Sequence, residues 1–524
     1  MSVYSNPLGE FARAIPIQSG ANLDMTKFSS TMWIDSQHTR WDNGYPRKMG
    51  GRQLVDFGND SIARAIYVNI VDDNRRYILM KDNSIIQIDV NPEGNITAIR
   101  NRTPVGWELP EAGNNYNYSF TEFSRTTTND GIIASLVFFF FVPLENAKNP
   151  LTNKEKQIYF GRIDQDTPFI PYEAFVADNP TQKPVKTSGG VIESTQRLII
   201  YGNGGLIYYT EVNNFDVIPI ANISAGGSLK ILAARPYRGS ILFWSPEVLF
   251  GGTFTSLGLN LERLTSMTIV SPTSIIDGRN STYYWMGLNQ MYAFNGALQT
   301  FQNDNNRNYL YEKLNRNYLG NCWGMFLESF TELAWFVPQN DDKEASLCII
   351  HNMEEKTWYK TILNRSCGLT TGVAPYPVMG DNQFLPGFLQ NNYPIWYEDK
   401  GLNQVIEGIA YPIEAWVESN MFRTYLDSVQ ANLAVVLRRL EKNINQIGDM
   451  YLEVKYYNYP DSEASTLDPI VFQPSTTNIN FSLESSIFSF KFVSNTIDGF
   501  YQFGPLVINY QNGNARPTVS FTGE

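Results

Sequence analysis

Arg197-Leu-Ile-Ile-Tyr-Gly-Asn-Gly-Gly-Leu-Ile-Tyr-Tyr-Thr-Glu211 is two short apolar runs around a turn. Ile and Tyr suit a half-buried pleated strand. Asn-Gly is the strongest short hairpin signal, because both central residues tolerate positive φ. The stretch therefore predicts a β-hairpin around Asn203-Gly204-Gly205.

The plan recurs on both sides of it. Arg76 to Asp89 places two strands around Asp82 and Asn83. Ser240 to Trp244 pairs with Glu247 to Phe250 around Pro246. Thr282 to Gly287 and Gln290 to Phe294 flank Leu288-Asn289. Glu332 to Val337 and Ser346 to His351 are joined by the polar loop Gln339 to Ala345, and Met353 to Ile362 continues the series. Strand pairs thus recur about every 40 to 50 residues, the spacing of a propeller blade. The expected fold is all-β: a multi-bladed β-propeller of six to eight blades over 61–412, with stacked β-sandwiches as the alternative. Beyond 412 the texture changes. Met450 to Tyr459, Ile479 to Leu483, Ile487 to Val493 and Phe500 to Tyr510 follow in short order. They predict a separate β-sandwich over 413–524.

Few stretches have helical spacing. Arg307 to Tyr318 sets Leu310, Leu314 and Tyr318 on one face, with Asp304 as candidate cap. Glu418 to Asn445 fits a helix or, over Ala434 to Leu440, a strand. Two proline-rich stretches, 168–190 and 373–394, read as long surface excursions. The apolar run Ile132 to Val142, with Phe138 to Phe141, is too short for a membrane helix, which needs about 20 residues. It reads as a buried strand, a membrane-touching loop being the alternative. No stable membrane insertion is expected, and Met1 to Glu10 has no secretory-signal pattern.

The composition agrees with many strands and turns. Of 524 residues, 38 are Gly, 27 Pro and 51 Asn, and aromatics make up 14%. Only 18% are charged, and the net charge is −12. That charge disfavours a dedicated nucleic-acid binder. Two basic groups stand out locally: Arg47, Lys48 and Arg52, and Arg438, Arg439 and Lys442. Solvated charges are the plain reading; contact with an acidic protein or with DNA phosphates is the functional one.

Catalytic patterns are missing. Cys322, Cys348 and Cys367 are an odd number with no CxxC, so they read as reduced core thiols. His38 and His351 are the only histidines and lie far apart, which removes HExxH chemistry and leaves little for a Ser-His-Asp engine. There is no GxxxxGK[ST], no GxSxG and no EF-hand loop. Gly202-Asn203-Gly204-Gly205 sits in a hairpin and reads as a turn. Ser274 to Trp285 does not fit the SxDxGxTW spacing of sialidase propellers. The Asn-x-Ser/Thr sites at Asn95, Asn101, Asn222, Asn280 and Asn364 are expected by chance in an Asn-rich chain. No catalytic, metal or cofactor residue is assigned, and no cofactor is expected.

Several stretches together resemble one family. Trp41-Asp-Asn-Gly-Tyr-Pro-Arg-Lys-Met-Gly-Gly-Arg52 resembles an early "PRKxxG" segment. Ser281 to Gly287 with Met291 to Gly296, and His351 to Trp358 with Asn364-Arg-Ser366, resemble two of its blades. Arg438 to Met450 with Tyr456 to Pro460, then Ser489 to Asn495, Gly499 to Gly504 and Gly513 to Arg516, resemble its C-terminal run. The family is the β-propeller tail nozzle of short-tailed bacteriophages, also called the packaged-DNA stabilisation protein or tail tubular protein B. The likeness is patchy but runs in order from 41 to 516, in a chain shorter than the larger nozzles.

The resemblance implies a structural virion protein rather than an enzyme. It implies a homo-hexameric ring below the portal and its head-to-tail adaptor, assembled in the host bacterial cytoplasm. Such a ring extends the DNA channel, helps retain the packaged genome and docks tail fibres or spikes. Genomic double-stranded DNA passes through without sequence-specific binding, and an acidic chain suits a conduit that slips. The resemblance also implies a platform made of the N-terminal segment, 1–60, and the C-terminal sandwich. On that platform Arg47, Lys48, Arg52, Arg438, Arg439 and Lys442 are the candidate adaptor-facing or interface residues. Two other functions fit a propeller. One is a glycosidase acting on host surface polysaccharide; the other is a receptor- or glycan-binding adhesin at the tail tip.

Overall fold

The computed structural model describes residues 11–15, 17–25, 31–55, 61–82, 84–105, 118–125, 135–141, 158–172, 187–213, 223–224, 229–385, 392–423, 433–457, 462–485 and 487–515. Each local hairpin grows into a four-stranded antiparallel sheet, and six such sheets follow one another along the chain. Blade 1 spans Ala63–Val71 to Ile96–Asn101, and blade 2 spans Ser119–Arg125 to Ile170–Pro171. Blade 3 runs from Thr187–Ile192 to Ile223–Ser224, and blade 4 from Ala233–Tyr237 to Gly258–Ser266. Blade 5 runs from Ile276–Gly278 to Leu298–Phe301, and blade 6 from Trp323–Leu327 to Thr357–Ile362.

Blade 7 is built differently. Arg365–Leu369, Val378–Asp381 and Ile395–Glu398 supply three strands, and Arg52–Val55 supplies the fourth. Val55 stands opposite Ile395 and Arg52 opposite Glu398. Gln404–Ile406 then pairs parallel to Arg52–Val55. So Arg52–Val55, expected in the N-terminal platform segment, belongs to the ring. Glycine is required just before it. A Cβ on Gly51 would lie 2.3 Å from the Asn403 carbonyl oxygen, and one on Gly50 would lie 2.7 Å from the Asp399 Cα.

The ring closes from blade 7 to blade 1. Val55, Cys367, Val378 and Ile395 share one apolar cluster with Ala63, Ile66 and Leu79. The Ser366 hydroxyl donates to the Ala63 carbonyl at 2.7 Å. The chain thus forms an all-β, seven-bladed propeller. The first strand of each blade forms its inner edge, as packing of successive first strands shows for most neighbours around the ring. Tryptophans fill the interfaces: Trp244 of blade 4 meets Trp285 of blade 5 edge-on at 5.7 Å, and Trp335 and Trp358, both of blade 6, stack at 6.1 Å in the cluster shared with blade 5. Their bulk is why this chain needs so many aromatics.

The C-terminal region is layered. Leu433–Glu441, Asn478–Ser485 and Val507–Ala515 form one sheet, joined by Phe11–Ala14. Ala415–Glu418, Met450–Tyr457 and Ile487–Ser494 form a second, joined by Asp35–Gln37. Ile444–Ile447 and Phe500–Phe503 form a third with Tyr45–Lys48 and Thr39–Asp42. Leu437, Leu452, Phe490 and Phe503 pack between them, in a core continuous with Trp323, Phe336 and Met379 of blades 6 and 7. The platform therefore shares part of its core with the propeller.

Several local expectations change. Positive φ falls on Gly204 (68°) and Gly205 (67°), because the turn has three residues and Tyr201 pairs with Ile207. The helix is only Arg307–Lys313. Its cap is not Asp304: the Asp24 carboxylate accepts from the Asn308 and Tyr309 amides at 2.8 and 2.6 Å. The described residues of 418–445 hold the strands Phe422–Arg423 and Leu433–Glu441 and the start of Ile444–Ile447, with no helix among them. Within the excursion 168–190, Ile170–Pro171 and the start of Thr187–Ile192 are strands, while 173–186 lie outside the described residues. Within 373–394, Val378–Asp381 is a strand of blade 7, and 386–391 lie outside the described residues. Phe138 to Phe141 end the strand Ser135–Phe141, second in blade 2. No helix among the described residues is long and apolar enough to cross a membrane.

Candidate functional site

Two surfaces matter here: the basic strand of the platform and its junction with the propeller. Leu437 and Leu440 are both buried although three residues apart. A β-bulge makes this possible: Leu437 pairs with Tyr510 and Arg439 with Asn509, so Arg438 is the extra residue. The bulge lets Arg438 and Arg439 both stay out of the core, where strict alternation sends one inward. Arg438 donates to Gln511 Oε1 at 2.9 and 2.8 Å and to the Ser482 hydroxyl at 3.1 Å. Arg439 lies 3.8 Å from Glu441. Lys442 donates to the carbonyls of Gln473 and Pro474, and partial burial holds its ammonium below the usual lysine range. These three residues form one basic strip on the platform.

The other three candidates do not join that strip. Arg47 pairs with Asp42 at 2.8 Å, and its guanidinium faces the Phe500 ring. Lys48 is 2% exposed, and its Nζ has no hydrogen-bond partner among the described residues. Burial pushes its pKa down to about 8. Lys48 is therefore a buried charge in this chain, not the solvated one its sequence suggests. Arg52 is a strand residue of blade 7. It donates to Gln404 Oε1 at 2.7 Å and lies over Trp396, contacts made within the ring.

The junction was not legible beforehand. Arg40, on Thr39–Asp42, reaches into the propeller. It lies 3.4 Å from Glu332 of blade 6 and 3.2 Å from Asp399 after blade 7, with the Phe330 ring against its face. Glu332 is fully buried and accepts a hydrogen bond from the Tyr359 hydroxyl. Burial raises its pKa to about 7, against the opposing pull of Arg40. Glu355 accepts from the Ser19 hydroxyl at 3.0 Å and the Gly44 amide at 2.9 Å. Gln37 exchanges two hydrogen bonds with Ile362 at 2.9 Å, copying a backbone amide on the outer strand of blade 6. A polar cleft of about 840 Å³ remains beside these contacts, lined by Arg40, Asp42, Arg47, Glu328 and Glu354. The only sequence signal for the junction was the family-like Trp41–Arg52 stretch.

The remaining reactive side chains act as filling. His351 packs between Phe301 and Trp358, each 4.5 Å away, and burial lowers its pKa to about 4. His38 is lowered to about 3 by burial and by Arg52, Arg365 and Lys48. The three cysteines are buried and unpaired, and burial raises each thiol's pKa. Among the described residues, no three His, Cys, Asp or Glu side chains are placed to hold a metal.

Comparison with known proteins finds only distant likenesses to solved structures. No known protein family and no curated protein matches the chain. Among solved structures it is similar to BBS1N in a crystal structure of its complex with ARL6DN, at 9% identity and a TM-score of 0.40. That likeness covers 67% of this chain and 96% of the other. It is also similar to the Pan2 WD40 domain of Neurospora crassa, at 8% identity and a TM-score of 0.37, over 70% of this chain and 99% of that domain. Both are propeller domains, and neither likeness bears on function.

Proposed function

We propose that the chain is a structural subunit of a phage tail nozzle. Six copies form a ring whose platforms meet the head-to-tail adaptor, and the ring extends the DNA channel and carries fibres or spikes. One observation supports this reading most. The first and the C-terminal stretches that carry the family resemblance lie hundreds of residues apart, yet they meet in one layered unit, while those at 281–296 and 351–366 lie in the blades. Tyr45–Lys48, from the Trp41–Arg52 stretch, pairs with Phe500–Phe503, with Arg47 opposite Gln502. Leu433–Glu441 pairs with Val507–Ala515 in the neighbouring sheet. Stretches so far apart in the chain are thus brought into one folded unit. On this reading Arg438, Arg439 and Lys442 offer a basic surface to an acidic adaptor.

The test is electron microscopy of the purified chain with the adaptor ring, wild type against Arg438→Glu/Arg439→Glu. Six-fold rings are expected for the wild type. Charge reversal is expected to weaken docking by about tenfold or more, with stronger salt dependence in the wild type. Equal docking of the double mutant counts against the basic strip. Isolated propellers that never join a ring, with the adaptor present, overturn the nozzle reading and favour an adhesin.

A further inference from the structure

Asn-Gly occurs four times in the chain, at Asn43, Asn203, Asn295 and Asn512. The dipeptide builds turns, and it is also the pair most open to one reaction within the chain. The glycine amide nitrogen attacks the asparagine Cγ, and glycine has no side chain to stand in the way. The fold gives the four copies different surroundings. Asn203 is half-buried in the turn of blade 3, where the Leu206 amide donates to its carbonyl. Asn512 lies within the paired strand Val507–Ala515, opposite Val435.

Asn43 and Asn295 are the informative pair, because both are exposed in hairpin turns. Asn43-Gly44 joins Thr39–Asp42 to Tyr45–Lys48, and Asn295-Gly296-Ala297 joins Met291–Phe294 to Leu298–Phe301 in blade 5. At Asn43 both reacting groups are held. The Gly44 amide donates to Glu355 Oε1 at 2.9 Å, and the Asn43 side-chain amide donates to Asp42 Oδ1 at 2.9 Å. Glu355 is itself fixed. Its other oxygen accepts from the Ser19 hydroxyl at 3.0 Å, and its amide donates to Asn352 Oδ1 at 3.0 Å. At Asn295 neither group is held. Among the described residues, the Gly296 amide and the Asn295 side chain make no hydrogen bond. Gly296 sits at φ 118°, so this turn requires glycine at the attacking position.

We propose that Asn295 is a site of spontaneous deamidation in the folded protein, and that Glu355 shields Asn43 from the same reaction. The Gly296 amide gives its proton to solvent hydroxide, and its nitrogen forms a bond to Asn295 Cγ. The Cγ–Nδ2 bond breaks, and Nδ2 takes a proton from water and leaves as ammonia. A succinimide ring remains, which water opens at either carbonyl, to aspartate or to isoaspartate. The net change consumes a water and releases an ammonia, with no oxidation or reduction. Each event adds a negative charge to the turn of blade 5, and isoaspartate also lengthens the main chain there by a carbon. At Asn43 the attacking amide must first leave a carboxylate, so the reaction waits on local opening. This inference does not depend on the nozzle reading, which concerns the platform.

The experiment incubates the purified full chain at pH 8 and follows each Asn-Gly peptide by mass spectrometry, with isoaspartate separated by chromatography. Asn295 is expected to convert first, with Asn43 about tenfold slower or more, since its amide is bonded to a charged acceptor. In urea, where both turns are lost, the two sites should convert at similar rates. Glu355→Ala should speed Asn43 by about tenfold or more in the folded protein and leave Asn295 unchanged. Thermal melting checks that this variant folds, and the comparison of native with urea-unfolded wild type decides the matter if it does not. An Asn295 that stays intact in the folded chain overturns the proposal. So does Asn43 converting as fast as Asn295 in the folded chain, the same gap persisting in urea, or an Asn43 still protected in folded Glu355→Ala.

Discussion

Blades 4, 5 and 6 and blade 7 make the same four-stranded sheet by different routes. In the first three, every strand follows its neighbour, and short turns such as Leu288-Asn289 set the register. In blade 7 the outer strand comes from the far end of the chain, and no turn sets its register. Side chains do that work instead: Arg40 between Glu332 and Asp399, Arg52 on Trp396, and two glycines beneath Asn403 and Asp399. A local blade is specified by turn chemistry, whereas a closing blade is specified by buried polar contacts. The first kind tolerates single lesions at its rim. The second kind concentrates its specification in a few residues.

That difference can be broken most severely at Arg40. Arg40→Met leaves Glu332 and Asp399 buried without their cation, and should cost about 3–5 kcal/mol in chemical denaturation. The loss should be larger at pH 8 than at pH 6, because Glu332 titrates at about 7 and its ionised form is the one that needs Arg40. Hydrogen exchange should rise first at Arg52–Val55 and Ile395–Glu398, with blade 5 still protected. Equal exchange in blades 5 and 7 would remove the distinction between the two routes.

A milder change sharpens it. Lys48→Met removes an unpartnered buried ammonium and keeps the side chain's length. It should stabilise the protein by about 1–2 kcal/mol at pH 7. The folded-state pKa of about 8 lies below the unfolded lysine value, so the unfolded chain binds more protons between the two. Wild-type stability from this group therefore rises with pH above about 8, and the advantage of Lys48→Met should shrink there. Thermal melts at pH 7 and pH 10 check both statements. The smallest effect is at the remote cap: Asp24→Ala should cost about 1 kcal/mol. Denaturation midpoints measure it.

What the sequence made legible follows the same division. The hairpins at Arg76–Asp89, Arg197–Glu211 and Thr282–Phe294 could be read because turn and strand signals lie within a dozen residues. The blade spacing followed from them, and with it the propeller. Lys48 was misread because charge in a turn-rich stretch looks exposed, and only its pairing opposite Thr39 carries it inside. Asp24 could not be found as a helix cap, since it stands far from Arg307 in the chain. The bulge at Arg438 breaks the alternation of its strand, which is why that region fitted helix and strand equally. Arg40, Glu332 and Asp399 leave no local trace. Their roles come from partners that only the closed ring brings near.

Closure by Arg52–Val55 also imposes an order on how the molecule comes into being. On the ribosome this strand emerges early, but Ile395, its partner, emerges more than three hundred residues later. At about 5–20 residues per second the strand waits roughly 20–70 s with its edge unsatisfied. The chain cannot close its ring until Ile395–Glu398 has been made, nor complete the layered sheets until Val507–Ala515 has. A product cut before Ile395 therefore lacks both, whereas one cut after Glu418 holds the blade strands and lacks the layered sheets.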